Sequence, residues 1–276
     1  MAWHGQLDLT FRRDGERSIA VHRHGGPLRL LKSLHPEGPA VCHAVLVHPP
    51  GGIAGGDVLV VDLDVQANAH GLVTTPGATR FYRSAGEPAL QDVRASVAAG
   101  ARLEWLPLET ICHAGALAEN RMRFVLAPGA EMIGWDLLAL GLPASDAPFD
   151  RGRITQHIEL PDAWLERGTV DGEAPLLLDS PLGWAGHRVM ATMWFAGGAP
   201  IGAERTESLL DATRAVCAGH ALAATSGCTA PHERVVVLRV LAPNVEPAWA
   251  LLRAVWERWR GEAWGLGACA PRVWRT

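Results

Sequence analysis

Val65-Gln66-Ala67-Asn68-Ala69-His70-Gly71-Leu72-Val73 has two partners further along the chain. They are Val97-Ala98-Ala99-Gly100-Ala101-Arg102-Leu103-Glu104-Trp105 and Leu126-Ala127-Pro128-Gly129-Ala130-Glu131-Met132-Ile133-Gly134-Trp135. The recurrence is about 30 residues, a length typical of stacked repeat units. Each copy reads as a strand, a tight turn of small residues, and a second strand. A unit of this size cannot close a core alone, so a fixed recurrence predicts stacking as in a solenoid. An antiparallel sandwich of similar hairpins fits the same three copies, and the period leaves both open. Either way the fold is mainly β.

Upstream, Leu7, Leu9 and Phe11 alternate, followed by Ile19 and Val21, with Gly15 and Gly25-Gly26-Pro27 as breaks. That pattern predicts hairpin strands. The apolar run Val41 to Val47 enters a shaped loop, His48-Pro49-Pro50-Gly51-Gly52-Ile53-Ala54-Gly55-Gly56-Asp57, and an alternating run to Val65 leaves it. Pro49 and Pro50 bar helix and central strand, while Gly51, Gly52, Gly55 and Gly56 permit close backbone approach. A phosphate loop would need Lys-Ser/Thr after its last glycine, and Asp57 has the wrong charge, so a structural or interface role is expected. Downstream, Asp150 to Val170, Pro175 to Leu178, Arg188 to Phe195 and Glu233 to Leu241 read as strands. Glu204 to Ala218 reads as a helix with Thr206 as its N-cap. From Pro247 to Trp259 an apolar stripe (Trp249, Leu252, Trp256, Trp259) predicts a second helix packed on the sheet. No linker divides the chain. The expectation is one domain over 1–276, a β portion to about residue 200 and a small α+β part with two helices over 201–276.

The bulk numbers narrow the function classes. At 48% hydrophobic and 20% charged residues, the 276-residue chain can bury a large core. Its net charge of −4 gives no electrostatic case for nucleic acid or an anionic membrane. Five scattered cysteines with no C-x-x-C pair argue against a disulfide framework and a structural zinc site. The N-terminal residues from Met1 lack a signal-peptide pattern, and no apolar run has the ~20 residues that span a bilayer. A soluble cytoplasmic protein is expected. The 11 Trp against 1 Tyr and 5 Phe point to a Trp-rich core.

Catalytic signatures are missing: no H-E-x-x-H, G-x-S-x-G, G-x-G-x-x-G after a strand, or Walker sequence. Asp57, Glu104, Glu109 and Asp136 instead lie among apolar or glycine neighbours, where a carboxylate is costly to bury unless paired or metal-bound. Together they could line a path for a cation or water. Ser84 and the hydroxyl-rich turn Thr74 to Thr79 could add to it, although turn backbone satisfaction is the simpler reading. His22 and His24 share a strand face and, with the isolated His113, are only weak metal candidates.

Several uncommon stretches in one order resemble the urease accessory protein UreD family, called UreH in some organisms. They are the glycine loop His48 to Asp57, Leu72 to Ser84, Leu103 to Ile111, Gly134-Trp135-Asp136, Leu140 to Ala144 and the terminal Pro271 to Thr276. The resemblance implies a mainly β fold wound as a right-handed superhelix. It also implies a non-enzymatic scaffold that binds the urease apoprotein and UreF, and through UreF the GTPase UreG. That assembly delivers nickel to a dinickel site whose bridging lysine is carbamylated, by a route proposed to run through an internal passage. Nickel would then be cargo in transit and no intrinsic cofactor is implied. Matched by motif, the passage residues are Asp57, Thr79, Ser84, Glu104, Glu109 and Asp136; weak oxygen ligands suit an ion that must move on. The chain departs from the family pattern at Cys112, His113, Ala114, Leu142 and Asp146-Ala147. A rival reading is a β-solenoid carbohydrate-active enzyme using Glu104 and Glu109 as a carboxylate pair.

Overall fold

A computed structural model describes residues 2–275; Met1 and Thr276, which end stretches read above, lie outside them. Strands β1 (His4–Asp14) and β2 (Arg17–Gly25) form the expected hairpin about Gly15. The short β3 (Arg29–Leu30) precedes β4 (Val41–Val47), and the glycine loop joins β4 to β5 (Val58–Val65). There follow β6 (His70–Thr74), β7 (Thr79–Phe81), β8 (Ala89–Val97), β9 (Arg102–Trp105) and β10 (Thr110–Cys112). Then come β11 (Leu117–Leu126), β12 (Glu131–Leu140), β13 (Arg153–Leu160) and β14 (Trp164–Asp171). The last strands are β15 (Val189–Gly197), β16 (Ser226–His232) and β17 (Val235–Ala242).

The three repeat turns are corners between sheets. In each, the third residue of the turn takes positive φ: Asn68 at 60°, Gly100 at 72° and Gly129 at 80°. Each closes by one backbone bond, Ala69 N to Gln66 O, Ala101 N to Ala98 O and Ala130 N to Ala127 O, at 2.9–3.0 Å. The corners also stack, since Gly100 N donates to Gly129 O at 3.2 Å and Arg102 N to Ala69 O at 2.9 Å. A Cβ on Gly100 would come within 2.5 Å of Asn68 Oδ1 in the corner below, so the stack itself selects glycine. Strands on either side of a corner therefore pair one coil away and in parallel, rather than with each other as a hairpin would. A tight turn looks the same locally in both cases, which is why the period left them open.

Two sheets result. The first runs β14-β13-β11-β8-β5-β1-β2, and the second β16-β17-β15-β12-β9-β6-β4-β3, with β7 and β10 laddered beside the end of β12. Strands β1, β5, β8, β11 and β13 pair in parallel, as do β4, β6, β9 and β12. About four solenoid turns wind between the sheets, with the right hand that twisted strands impose on parallel crossovers. Antiparallel strands close both ends of both sheets. Inward residues such as Phe11, Val93, Phe124, Ile154, Leu103 and Met132 fill the space between sheets. Each such side chain contributes roughly 1.5–3 kcal/mol on burial.

Helices α2 (Ala203–Ala218) and α3 (Val245–Trp264) cover the outer face of the second sheet. Leu252, Trp256 and Trp259 of the predicted stripe are buried there, and Trp249 stacks edge-on against Trp135. Two expectations fail. Thr206 is not the N-cap of α2; Gly202 is, and Glu204 in the first turn supplies the favourable negative charge instead. Pro175–Asp179 is the short helix α1, not a strand. Pro175 suits the first helical position, only Leu178 is buried, and a four-residue apolar run does not distinguish the two states.

Candidate functional site: a polar chain between the sheets

Along the first sheet, inward positions alternate with outward ones, and nearly all inward side chains are apolar. Three consecutive coils break the rule at one level. Gln91 on β8 pairs in register with Asn120 on β11, and Asn120 with Gln156 on β13. These amides are mutually connected. Gln91 Nε2 donates to Asn120 Oδ1 at 3.1 Å, and Asn120 Nδ2 donates to Asp136 Oδ1 of the facing β12 at 3.0 Å. Gln156 Nε2 donates to Asp136 Oδ2.

Asp136 thus lies between the sheets, 5% exposed, with only neutral donors. Burial pushes its carboxyl up to about 7, and the nearby Glu166 adds to the rise against the two amide hydrogen bonds. Beside Asp136 in register stands Thr192, and beside that Arg239. Arg239 pairs with Glu166 of β14 at the end of the stack. Burial raises the Glu166 carboxyl as well, which Arg239 and Thr192 only partly offset. At the other end, Gln91 lines a cavity of about 200 Å³ whose wall also includes His48, Thr75, Thr79, Arg80 and Trp105. The polar chain therefore runs lengthwise through the interior from that cavity to an ion pair at the far edge.

Glu104 faces the other way. Although β9 is only one strand from β12, its carboxylate points out of the second sheet and under α3. It accepts from Trp256 Nε1 at 2.6 Å and from His70 Nε2 at 2.7 Å, with Arg260 Nε at 3.6 Å. Burial alone would raise its pKa; the hydrogen bonds and charges of His70, Arg260 and Trp256 prevail and hold it below the usual range. Arg260, fully buried, reaches on to Glu37 at 2.5 Å, and Glu37 accepts from His43 at 2.7 Å. The arrangement fastens α3 to the sheet. It leaves no groove at Glu104, so the carbohydrate-active reading of a Glu104–Glu109 pair finds no open site.

The remaining candidates are local. Asp57 clasps the glycine loop, accepting from Trp3 N at 2.7 Å and Ala54 N at 2.8 Å. Ser84 caps the neighbouring turn, accepting from Gly86 N at 3.0 Å and donating to Glu87 O at 2.5 Å. The two turns touch at Gly55, where a Cβ would strike the Ser84 hydroxyl. Pro49, Pro50, Gly51 and Gly52 shape that same loop, and Ile53 N binds Arg80 O at 2.7 Å. Thr79 and Glu109 are half-buried neighbours joined through Thr79 N to Glu109 O at 2.9 Å. His22 and His24 are exposed and stacked at 5.8 Å, and His113 packs on Tyr82. Among the described residues no group of three His, Cys, Asp or Glu is placed to hold a metal ion. No helix among them is long and apolar enough to cross a membrane.

Sequence reasoning missed Gln91, Asn120, Gln156 and Glu166. The signal was present for Asn120 and Gln156: in Ala118-Glu119-Asn120-Arg121-Met122 and Ile154-Thr155-Gln156-His157-Ile158 an amide interrupts the apolar side of a period-two strand.

The family model described as "UreD urease accessory protein" matches residues 4–275. The chain is 58% identical to urease accessory protein UreD of Leptothrix cholodnii over 100% of both chains. It is also 58% identical to that of Paracidovorax citrulli over 99% of both, and 56% to that of Variovorax paradoxus over 100% of both.

Proposed function

Because this chain belongs to the UreD family of urease accessory proteins, we propose that it acts in urease maturation as a scaffold through whose interior nickel passes. In this reading it holds the urease apoprotein together with UreF, and through UreF the GTPase UreG. Ni²⁺ is cargo. The relatives are named as accessory proteins and not for any reaction.

The observation that carries the passage is the connected chain Gln91–Asn120–Asp136–Gln156, which places oxygen-bearing side chains lengthwise through an apolar interior. A carboxyl near 7 is poised between its two forms at neutral pH, so an arriving cation displaces a proton readily. The amides can turn end for end without backbone movement and present oxygen instead of N–H. One carboxylate and neutral oxygens bind nickel more weakly than a His or Cys cluster, which suits transit over storage. Of the motif-matched residues, Asp136 lies in this chain. Glu104 acts here by holding α3.

The test is co-expression of urease with Asp136→Leu and Asp136→Asn variants, followed by co-purification and nickel analysis of the urease. Both variants are expected to keep the complex while urease nickel content falls several-fold. Full nickel loading in both would remove the passage and leave the scaffold. Failure of the unaltered chain to co-purify with urease subunits or UreF would remove the scaffold.

A further inference from the structure

The cavity beside Gln91 has a composition that the nickel reading does not use. Arg80 is its only charged side chain, and no Asp or Glu lines it. Arg80 is exposed at the cavity's edge and makes no ion pair among the described residues. Two further lining residues, His48 and Trp105, each carry a buried ring nitrogen without a hydrogen-bond partner, Nε2 and Nε1 respectively. The indole N–H is an orphaned donor, a loss of commonly about 1–3 kcal/mol, and the imidazole nitrogen is one in its Nε2–H tautomer; both mark a place where a partner group is missing. The lining also includes the aliphatic side chains Leu28, Leu46, Val61 and Val93.

We propose that this cavity is a binding site for a small monocarboxylate with a compact aliphatic body. The carboxylate meets Arg80 and the His48 and Trp105 nitrogens, and the hydrocarbon part rests on Leu28, Leu46, Val61 and Val93. Size agrees: a cavity of about 150 Å³ accommodates benzene, and this one is about 200 Å³. A free hydrated cation is disfavoured by the unpaired guanidinium and the lack of any carboxylate. The site does not depend on the maturation reading, because its test uses the isolated chain.

Isovalerate is the probe, titrated into the full-length protein by calorimetry, with isovaleramide as its neutral isostere and nickel chloride as the cation control. The indole N–H resonance of Trp105, assigned by its loss in Trp105→Phe, reports the location. Isovalerate should bind and shift that resonance, and the amide should bind at least about tenfold more weakly, as expected for a lost charge-assisted contact. Arg80→Gln should weaken isovalerate about tenfold, whereas Arg83→Gln, an exposed neighbour outside the cavity, should not. Equal binding of acid and amide, no effect of Arg80→Gln, no isovalerate binding at millimolar concentration, or a Trp105 shift with nickel alone would each overturn the proposal.

Discussion

Glu104 and Asp136 are both buried carboxylates on strands of one sheet, yet they sit in opposite kinds of surroundings. Glu104 lies beneath α3, next to Arg260 and accepting from Trp256 of that helix and from His70 of β6. Asp136 has two amides and a like charge at some distance, between the sheets. Hydrogen bonds from His70 and Trp256 and the Arg260 charge hold the first ionised; the lack of a cation lets burial drive the second toward its neutral form. What a buried acid does is therefore decided by the face of the strand it occupies, and the two should respond to perturbation with opposite signs.

The largest expected effect is at Glu104. Glu104→Leu leaves His70 Nε2 and Trp256 Nε1 without their acceptor in a dry layer and leaves Arg260 with Glu37 alone, which should cost about 3–5 kcal/mol in urea denaturation. The same replacement at Asp136 leaves only two neutral amides short of a partner, and should cost about 1–3 kcal/mol. Equal losses at the two positions would erase the distinction.

A smaller effect separates them by pH. Asp136 has a folded pKa above its ordinary value of 3.8, so the native state binds that proton more tightly. Its contribution is full below about pH 4 and declines as pH rises through about 7. For Glu104 the folded pKa is depressed, so its contribution is present above the ordinary glutamate range and fades as pH falls through the folded value. Asp136→Asn should remove the decline between about pH 4 and 7, a difference of no more than about 4 kcal/mol. An unchanged stability profile in that window would break the assignment.

The smallest effect is reserved for Ser84, whose hydroxyl is committed to its own turn. Ser84→Ala should cost about 1 kcal/mol and leave urease nickel content as it was. A drop in nickel with normal stability would move Ser84 from the turn into the route.

The repeat was readable because its corners need small residues and a positive φ at a fixed interval, as Asn68, Gly100 and Gly129 show. The long helices were readable from their spacing. The facing of the two acids was not. Every position of β12 after Glu131 is buried, on one side by the first sheet and on the other by helices, so Trp135-Asp136-Leu137 carries no alternation to say which way Asp136 points. Leu103-Glu104-Trp105 is buried on both sides in the same way. Strands covered on both faces lose the period that one-sided strands keep. In the half-exposed β11 and β13 the period survives, and there the out-of-place amides could have been found.

The antiparallel strands that finish each sheet have a consequence for how the molecule can vary. Within the two main sheet orders every parallel strand is an interior one, so a second molecule has no matching parallel rung on which to continue the winding. Lengthening must come from within. A whole extra coil inserted at the Ala98–Ala101 corner would add a rung and carry the amide row one step further. A single inserted residue inside β8 would swing Gln91 outward and sever the row at that rung.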